Sequence, residues 1–249
     1  MGQRVIAVID QSGEPRDEVA RVVAAINQQI SQDFAPLWWG LAGHLDVWPE
    51  AVGVPDPERD TRADAVLYLV PTPNLPDALG FHDLAKSGRP YGFVFTELAR
   101  SLGEHWSTTL SHEALELLLD PEANLYAEGP HPLDRRRSVF HWREASDAVQ
   151  SYTYFGEAGV ALADFLLPAY FTRQLEPSRN THFLGHTIAG KPDLPSFGIA
   201  PGGYVGYLDP KTGRTETVAA DARGAEVLEK KGMYAFRRGS RRSLSAQEA

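Results

Sequence analysis

The apolar positions of this chain change period several times, and each change marks an element. Val5-Ile6-Ala7-Val8-Ile9 is an unbroken apolar run bounded by Asp10 and Gly13, the pattern of a buried strand. From Pro15 to about Phe34 the positions Val19, Val22, Val23, Ile26 and Ile30 follow helical spacing, and Pro15 suits a first turn with acidic residues beside it. Leu45 to Trp48, Ala65 to Val70 and Tyr91 to Thr96 read as further strands. The stretch 53–62, with Pro55, Pro57 and charged side chains, reads as a surface loop, as does Thr72 to Gly80 with Pro73 and Pro76. A second long helix runs from Trp106 to Asp120. Leu and Ala dominate from residue 114, a Ser or Thr ahead of His112 can cap its first turn, and Pro121 cannot continue it. The predicted order is strand, helix, strand, strand, strand, helix.

Past Pro121 the chain changes character. Gly129, Pro130, Pro132 and the run Arg135-Arg136-Arg137 read as a solvated loop or linker, beyond which Val139 to Trp142 is a strand candidate. Tyr152 to Phe155 and Val160 to Ala163 suit a hairpin around Gly156 and Gly159, and Asp164 to Phe171 a short helix bent at Pro168. Tyr204 to Leu208 and Thr215 to Val218, joined across Asp209-Pro210-Lys211-Thr212-Gly213, give the clearest hairpin signal. From Arg237 the tail has four Arg, several Ser and little apolar content, which predicts disorder over 237–249. No internal repeat is present.

A chain of 249 residues with 43% hydrophobic content can form one large domain or two coupled lobes. One compact unit is the simpler expectation from length, whereas the change past Pro121 divides the chain into a first lobe over 1–128 and a smaller β-rich lobe over 129–236. Lys plus Arg number 24 against 33 Asp plus Glu, and the net charge of −9 repels phosphate backbones and anionic membranes. A nucleic-acid role is therefore not expected. With no cysteine, any metal site must be built from His, Asp and Glu. The N-terminal apolar run is too short for a signal peptide, and Asp164 and Pro168 break the longest membrane-span candidate. A soluble, cytoplasmic protein is expected.

The candidate chemistry lies on the second helix. Residues four apart sit about 40° around and about 6 Å along a helix, so His112 and Glu116 project from one face and can grip one ion. Glu113 lies beside that ion, turned away from direct ligation by about 100°. This is the logic of the His-Glu-x-x-His helix, in which two ligands hold zinc and the intervening Glu takes a proton from water. Here the second ligand position is Glu116, and a solvated helical face is the plainer alternative. Leu115, Leu117, Leu118 and Leu119 wrap the helix in apolar surface, which favours a core helix with its polar residues turned to an internal site.

Ser111-His112-Glu113-Ala114-Leu115-Glu116-Leu117-Leu118-Leu119-Asp120-Pro121, preceded by Gly80-Phe81-His82-Asp83 and Pro90-Tyr91-Gly92, resembles a group of bacterial zincin-like metallopeptidases of unassigned biological role. Glu144-Ala145-Ser146-Asp147 is similar to that group's acidic segment, which often has Cys where Ser146 stands. Asp164 to Phe171 and Pro201 to Gly206 also fit, so the resemblance spans roughly residues 1 to 210. It implies an α+β fold of the metzincin type: a mixed sheet with two main helices, the second carrying metal ligands, plus the smaller C-terminal lobe completing the site.

A catalytic zinc needs three protein ligands and an open position for water. The resemblance nominates Glu144 as the third ligand, with Asp147 orienting a ligand; ordinary surface acids are the alternative for both. Asp120 is a weaker rival, about 12 Å along the axis from His112. Glu113 is the expected general base. His82 is a candidate substrate-site or oxyanion-stabilising residue, although a loop histidine paired with Asp83 is the plainer reading. His182 and His186 share the i, i+4 spacing, but Gly185 between them favours a strand or turn. Gly202-Gly203 lacks the context of a phosphate loop, and adjacent Ser111 and His112 cannot face each other as a triad. The expected function is a zinc-dependent hydrolase, most plausibly a peptidase cutting a peptide or protein substrate, with manganese or iron as competing metals because the site is rich in carboxylate. That richness also favours modest activity with an alkaline preference. The alternative is a non-catalytic structural or interaction protein on a zincin scaffold.

Overall fold

The computed structural model describes residues 3–49, 53–72, 80–101, 103–173, 180–185, 187–188, 191–192 and 194–229. The expected loop at 73–79, His186 and the expected tail at 237–249 lie outside the described residues. The chain forms a mixed α/β structure with several sheets, divided into two compact units. The first takes residues 1–122 and 153–163, the second 123–152 and 164–249. The boundary thus falls near 122 instead of 128, and residues 153–163 return to the first unit.

The first unit is built on a five-stranded sheet of β1 (Arg4–Asp10), β2 (Gly43–Trp48), β3 (Ala65–Val70), β4 (Gly80–Leu84) and β5 (Pro90–Phe95), in the order β2-β1-β3-β5-β4. β1 pairs in parallel with β2 and β3, and β3 with β5, whereas β4 runs antiparallel to β5 at the sheet's end. Ile6 to Ile9 and Ala65 to Leu69 are buried, as unbroken apolar runs in a parallel sheet require. One face gathers Ala7, Ile9, Val66 and Tyr68, flanked by Tyr91 and Phe93. The Tyr68 hydroxyl donates to Asp60 of the 53–62 loop at 3.0 Å, and burial beside that carboxylate pushes the phenol up.

Between β1 and β2 lies α1 (Arg16–Gln28), which buries Val19, Val22, Val23, Ala25 and Ile26, the predicted stripe. Its continuation is not regular α-helix: Gln29–Phe34 widens into a π turn before the short α2 (Ala35–Leu37). The π turn aims Gln29 into the core, where Nε2 donates to the Ala163 carbonyl at 2.9 Å and Oε1 accepts from Ser111 Oγ at 2.7 Å. After β5 come α3 (Thr96–Ser101), which the periodicity does not reveal, and α4 (Trp106–Leu119). All 14 residues of α4 are buried, so the helix is core throughout. Its cap is His105, whose Nδ1 accepts from Ser107 N at 3.2 Å, in place of the expected Ser or Thr nearer His112.

Past α4 the chain enters the second unit as β6 (Tyr126–His131) and β7 (Asp134–Trp142), an antiparallel hairpin with a register shift at Pro130/His131. The expected loop at 129–137 is therefore sheet. Pro130 and the arginine run are tolerated because β6 is an edge strand and residues 134–136 are exposed. The chain then supplies β8 (Thr153–Phe155) and β9 (Ala161–Ala163) to the first unit, as the predicted hairpin. Ala163 N donates to Ser111 Oγ at 3.2 Å, which ties β9 to α4.

Back in the second unit, the helix expected over Asp164 to Phe171 shrinks to one 3-10 turn at Pro168–Phe171, because Asp164 and Leu166 commit their backbone N–H groups to Tyr152 and Ala145. Two short strands, β10 (Thr187–Ile188) and β11 (Lys191–Pro192), pair with each other. β12 (Tyr204–Asp209) and β13 (Arg214–Ala219) form the predicted hairpin and complete an antiparallel sheet in the order β13-β12-β7-β6. At Gly206 an added Cβ would come within 2.2 Å of the Trp142 ring, so glycine is what lets the indole lie flat on β12. The core behind this sheet contains Ala148, Val149, Leu166, Tyr170, Leu194 and Val205. Residues 222–229 are helical. No helix among the described residues is long and apolar enough to cross a membrane.

Candidate metal centre

Within the first unit, β4 and α4 bring four polar side chains to one place inside an apolar core. His112, Glu113 and Glu116 are each 1 to 2% exposed, and His82 is 2% exposed. On α4 the i, i+4 pair behaves as expected: His112 Nε2 lies 3.0 Å from Glu116 Oε1. The other carboxylate oxygen, Glu116 Oε2, lies 3.5 Å from His82 Nδ1. Glu113 Oε2 is 3.2 Å from the same nitrogen. Glu116 therefore stands between two imidazoles, and His82 stands between two carboxylates.

His82 is not on a loop. It belongs to β4, paired in register with Gly92 of β5, and it contacts the two glutamates of α4. Asp83 Oδ1 accepts from Leu84 N at 2.7 Å. The sequence signal for this strand is weak because Pro73 and Pro76 stand shortly before it in the sequence and it is only five residues long. Glu113 also stands closer than expected: it is turned from His112 on the helix, but a residue three positions from Glu116 lies on the adjoining face, and His82 bridges the two.

Four buried ionisable groups need compensating charge. Two carboxylates in an apolar interior call for positive charge beside them, either protons on the imidazoles or a bound cation. The geometry fits the second as well as the first. Ligand atoms roughly 2.0–2.2 Å from one tetrahedral zinc stand about 3.3–3.6 Å apart. The ligand atoms of His82, Glu113 and Glu116 all lie within 4.8 Å of one another, with His82 at 3.2 and 3.5 Å from the two carboxylates. The set is nitrogen and oxygen only, compatible with zinc, manganese or iron.

Asp120 caps the far end of α4. Ser111 is a structural link, donating to Gln29 and accepting from Ala163. Glu144 and Asp147 belong to the second unit, where both are buried and Asp147 Oδ1 accepts from the Tyr204 hydroxyl at 2.5 Å. His182 makes a bridge to Leu166 and directs Nδ1 to Asp164 Oδ2, whose partner oxygen accepts from Phe165 N at 2.7 Å and Leu184 N at 3.2 Å. This buried pair escaped the sequence reading because its members are 18 residues apart. Gly202 N donates to Asp221 at 2.9 Å, a local turn and not a phosphate cradle. The chain matches no protein-family model and no curated protein.

Proposed function

We propose that the chain is a zinc-dependent hydrolase of zincin-like architecture, acting on peptides, with His112 and Glu116 as two of the metal ligands and Glu113 as general base. The observation that carries the reading is Glu116, whose two carboxylate oxygens sit 3.0 Å from His112 and 3.5 Å from His82 inside the core. A parallel sheet with one antiparallel end strand, backed by a buried helix bearing the His-Glu-x-x-Glu sequence, is the arrangement that the reading requires.

Zinc, when bound, supplies a Lewis acid and lowers the pKa of water toward neutrality. The chain's own residues then handle the proton. Glu113 Oε2 accepts it, and His82 Nδ1, 3.2 Å away, holds the carboxylate in place and can share the proton before it passes to the leaving amine. β4 is the last strand of its sheet, so an extended peptide laid along it would find a row of backbone donors and acceptors beside the cluster.

Glu113→Gln tests the mechanism, since it keeps size and removes basicity. Hydrolysis of a mixed peptide library should fall by roughly 10²- to 10⁴-fold with metal content unchanged. Full activity in that variant would end the assignment. A second reading, a non-catalytic protein, is favoured by one observation: contacts of 3.0 to 3.5 Å are also what protonated imidazoles make with carboxylates. Metal content separates the two.

A further inference from the structure

In the first unit a cavity of about 460 Å³ opens where β1 and β3 begin, inside the range of about 300–1,000 Å³ typical of small-molecule sites. Arg4 and Asp64 line it together with Gln3 and the apolar side chains of Leu41 and Leu118. Arg4 is the first residue of β1 and Asp64 stands immediately before β3, so the parallel pairing of these strands sets the two charges on neighbouring stretches of backbone. Asp64 is held in place by Val5: its N–H donates to the Val5 carbonyl at 3.0 Å, and its Oδ2 accepts from Val5 N at 2.8 Å. Oδ1 remains for another donor. The two charges do not neutralise each other, since among the described residues no ion pair joins Arg4 to an acid or Asp64 to a base. The most buried wall is Leu118 of α4, 4% exposed. It reaches the sheet because Gly43 has no side chain there; an added Cβ would come within 2.4 Å of it.

We propose that this cavity binds a zwitterionic α-amino acid with an apolar side chain. The ligand's carboxylate meets the Arg4 guanidinium, whose planar fork matches a carboxylate in two parallel hydrogen bonds, and the Gln3 amide is a further donor. Its ammonium, with three donors and no acceptor, meets Asp64 Oδ1. Its side chain lies against Leu41 and Leu118. A ligand with a single charge satisfies one wall and leaves the other opposed to it or unmatched, so selectivity comes from answering both charges at once. A metal cation fits poorly, because the cavity offers one carboxylate and sets a guanidinium beside it. The site is separate from the metal cluster. Leu118 lies two residues beyond Glu116, about 200° around the helix, so the cavity and the cluster use opposite sides of α4. The inference therefore needs no ion and does not rest on the hydrolase reading.

The test is calorimetric titration of the full-length protein near pH 7 with L-leucine, with L-leucine amide, which lacks the carboxylate, and with N-acetyl-L-leucine, which lacks the ammonium. Saturable binding of leucine is expected, with each singly charged analogue weaker by about tenfold or more, the loss of a charge-assisted contact. Arg4→Gln and Asp64→Asn should each weaken leucine by a similar factor. Asp64 is exposed and Arg4 half-buried, and asparagine keeps an oxygen for Val5 N, so both variants should retain the wild-type circular dichroism. An analogue that binds as tightly as leucine overturns the proposal, as does no binding by any of the three. Folded variants that bind leucine like the wild type overturn it too, because the site would lie elsewhere. Binding that disappears when the protein is treated with chelator belongs to the metal centre and has the same consequence.

Discussion

His82 and His141 are both buried histidines on strands, yet their surroundings are opposite. His82, on the end strand of its sheet, faces two carboxylates from α4; His141, in an inner strand, bonds a backbone carbonyl. A carbonyl that accepts from one ring nitrogen leaves the imidazole neutral and calls for no opposite charge. Two buried carboxylates demand positive charge, which the protein must find as protons or as an ion. The comparison separates a histidine whose surroundings ask for no charge from one set among carboxylates, although both are buried.

The largest test addresses the neutral half. His141 has its folded pKa pushed from 6.5 to about 4, chiefly by burial. Below pH 6.5 the unfolded chain takes up this proton first, so the stability is complete above about 6.5 and drains away as pH falls toward 4. At about 1.4 kcal/mol per pKa unit, the loss from this group approaches about 3 kcal/mol. His141→Gln can keep a donor toward Pro130 without titrating. Denaturant unfolding at pH 7 and pH 4.5 should show the variant losing less stability on acidification than the wild type. Equal losses would mean that His141 is charged in the folded state, and the contrast with His82 would collapse.

The next test addresses the frame of the charged half. Ser111 joins Gln29 of the π turn to Ala163 of β9 from within α4. Ser111→Ala should cost about 1–3 kcal/mol, since it leaves a buried amide oxygen and a buried backbone N–H without this partner. A change under about 0.5 kcal/mol in the unfolding midpoint energy would show that the link is dispensable. The smallest effect is expected at the helix start. His105→Ala removes a cap whose Nδ1 accepts from Ser107 N, and about 1 kcal/mol should go with it. His105→Asn should restore most of that loss if capping is the reason.

What was legible in the sequence follows from the same physics. The runs at Val5 and Ala65, the stripe of α1 and the all-buried α4 could be read because periodicity and burial are local properties. The pairing of His112 with Glu116 was legible for the same reason: four residues on a helix fix a distance. His82 was read as a loop residue because its role depends on β4 pairing with β5, and that pairing brings it within reach of a helix some thirty residues away. The hairpin of β6 and β7 was read as a loop because its prolines and arginines are signals of solvation, which an edge strand also satisfies. The Asp164–His182 pair and the bond from His141 to the Pro130 carbonyl are tertiary facts with no local signature.

The central claim is that the charge demanded by Glu113 and Glu116 is met by a metal ion, and metal content tests it most directly. Untagged protein purified without chelator should carry near one equivalent of a divalent transition metal by mass spectrometry. His112→Ala and Glu116→Ala should lose it while their helical circular dichroism is retained. A wild type that is metal-free, and stays so after incubation with zinc, would contradict the account and leave protons as the charge in this core.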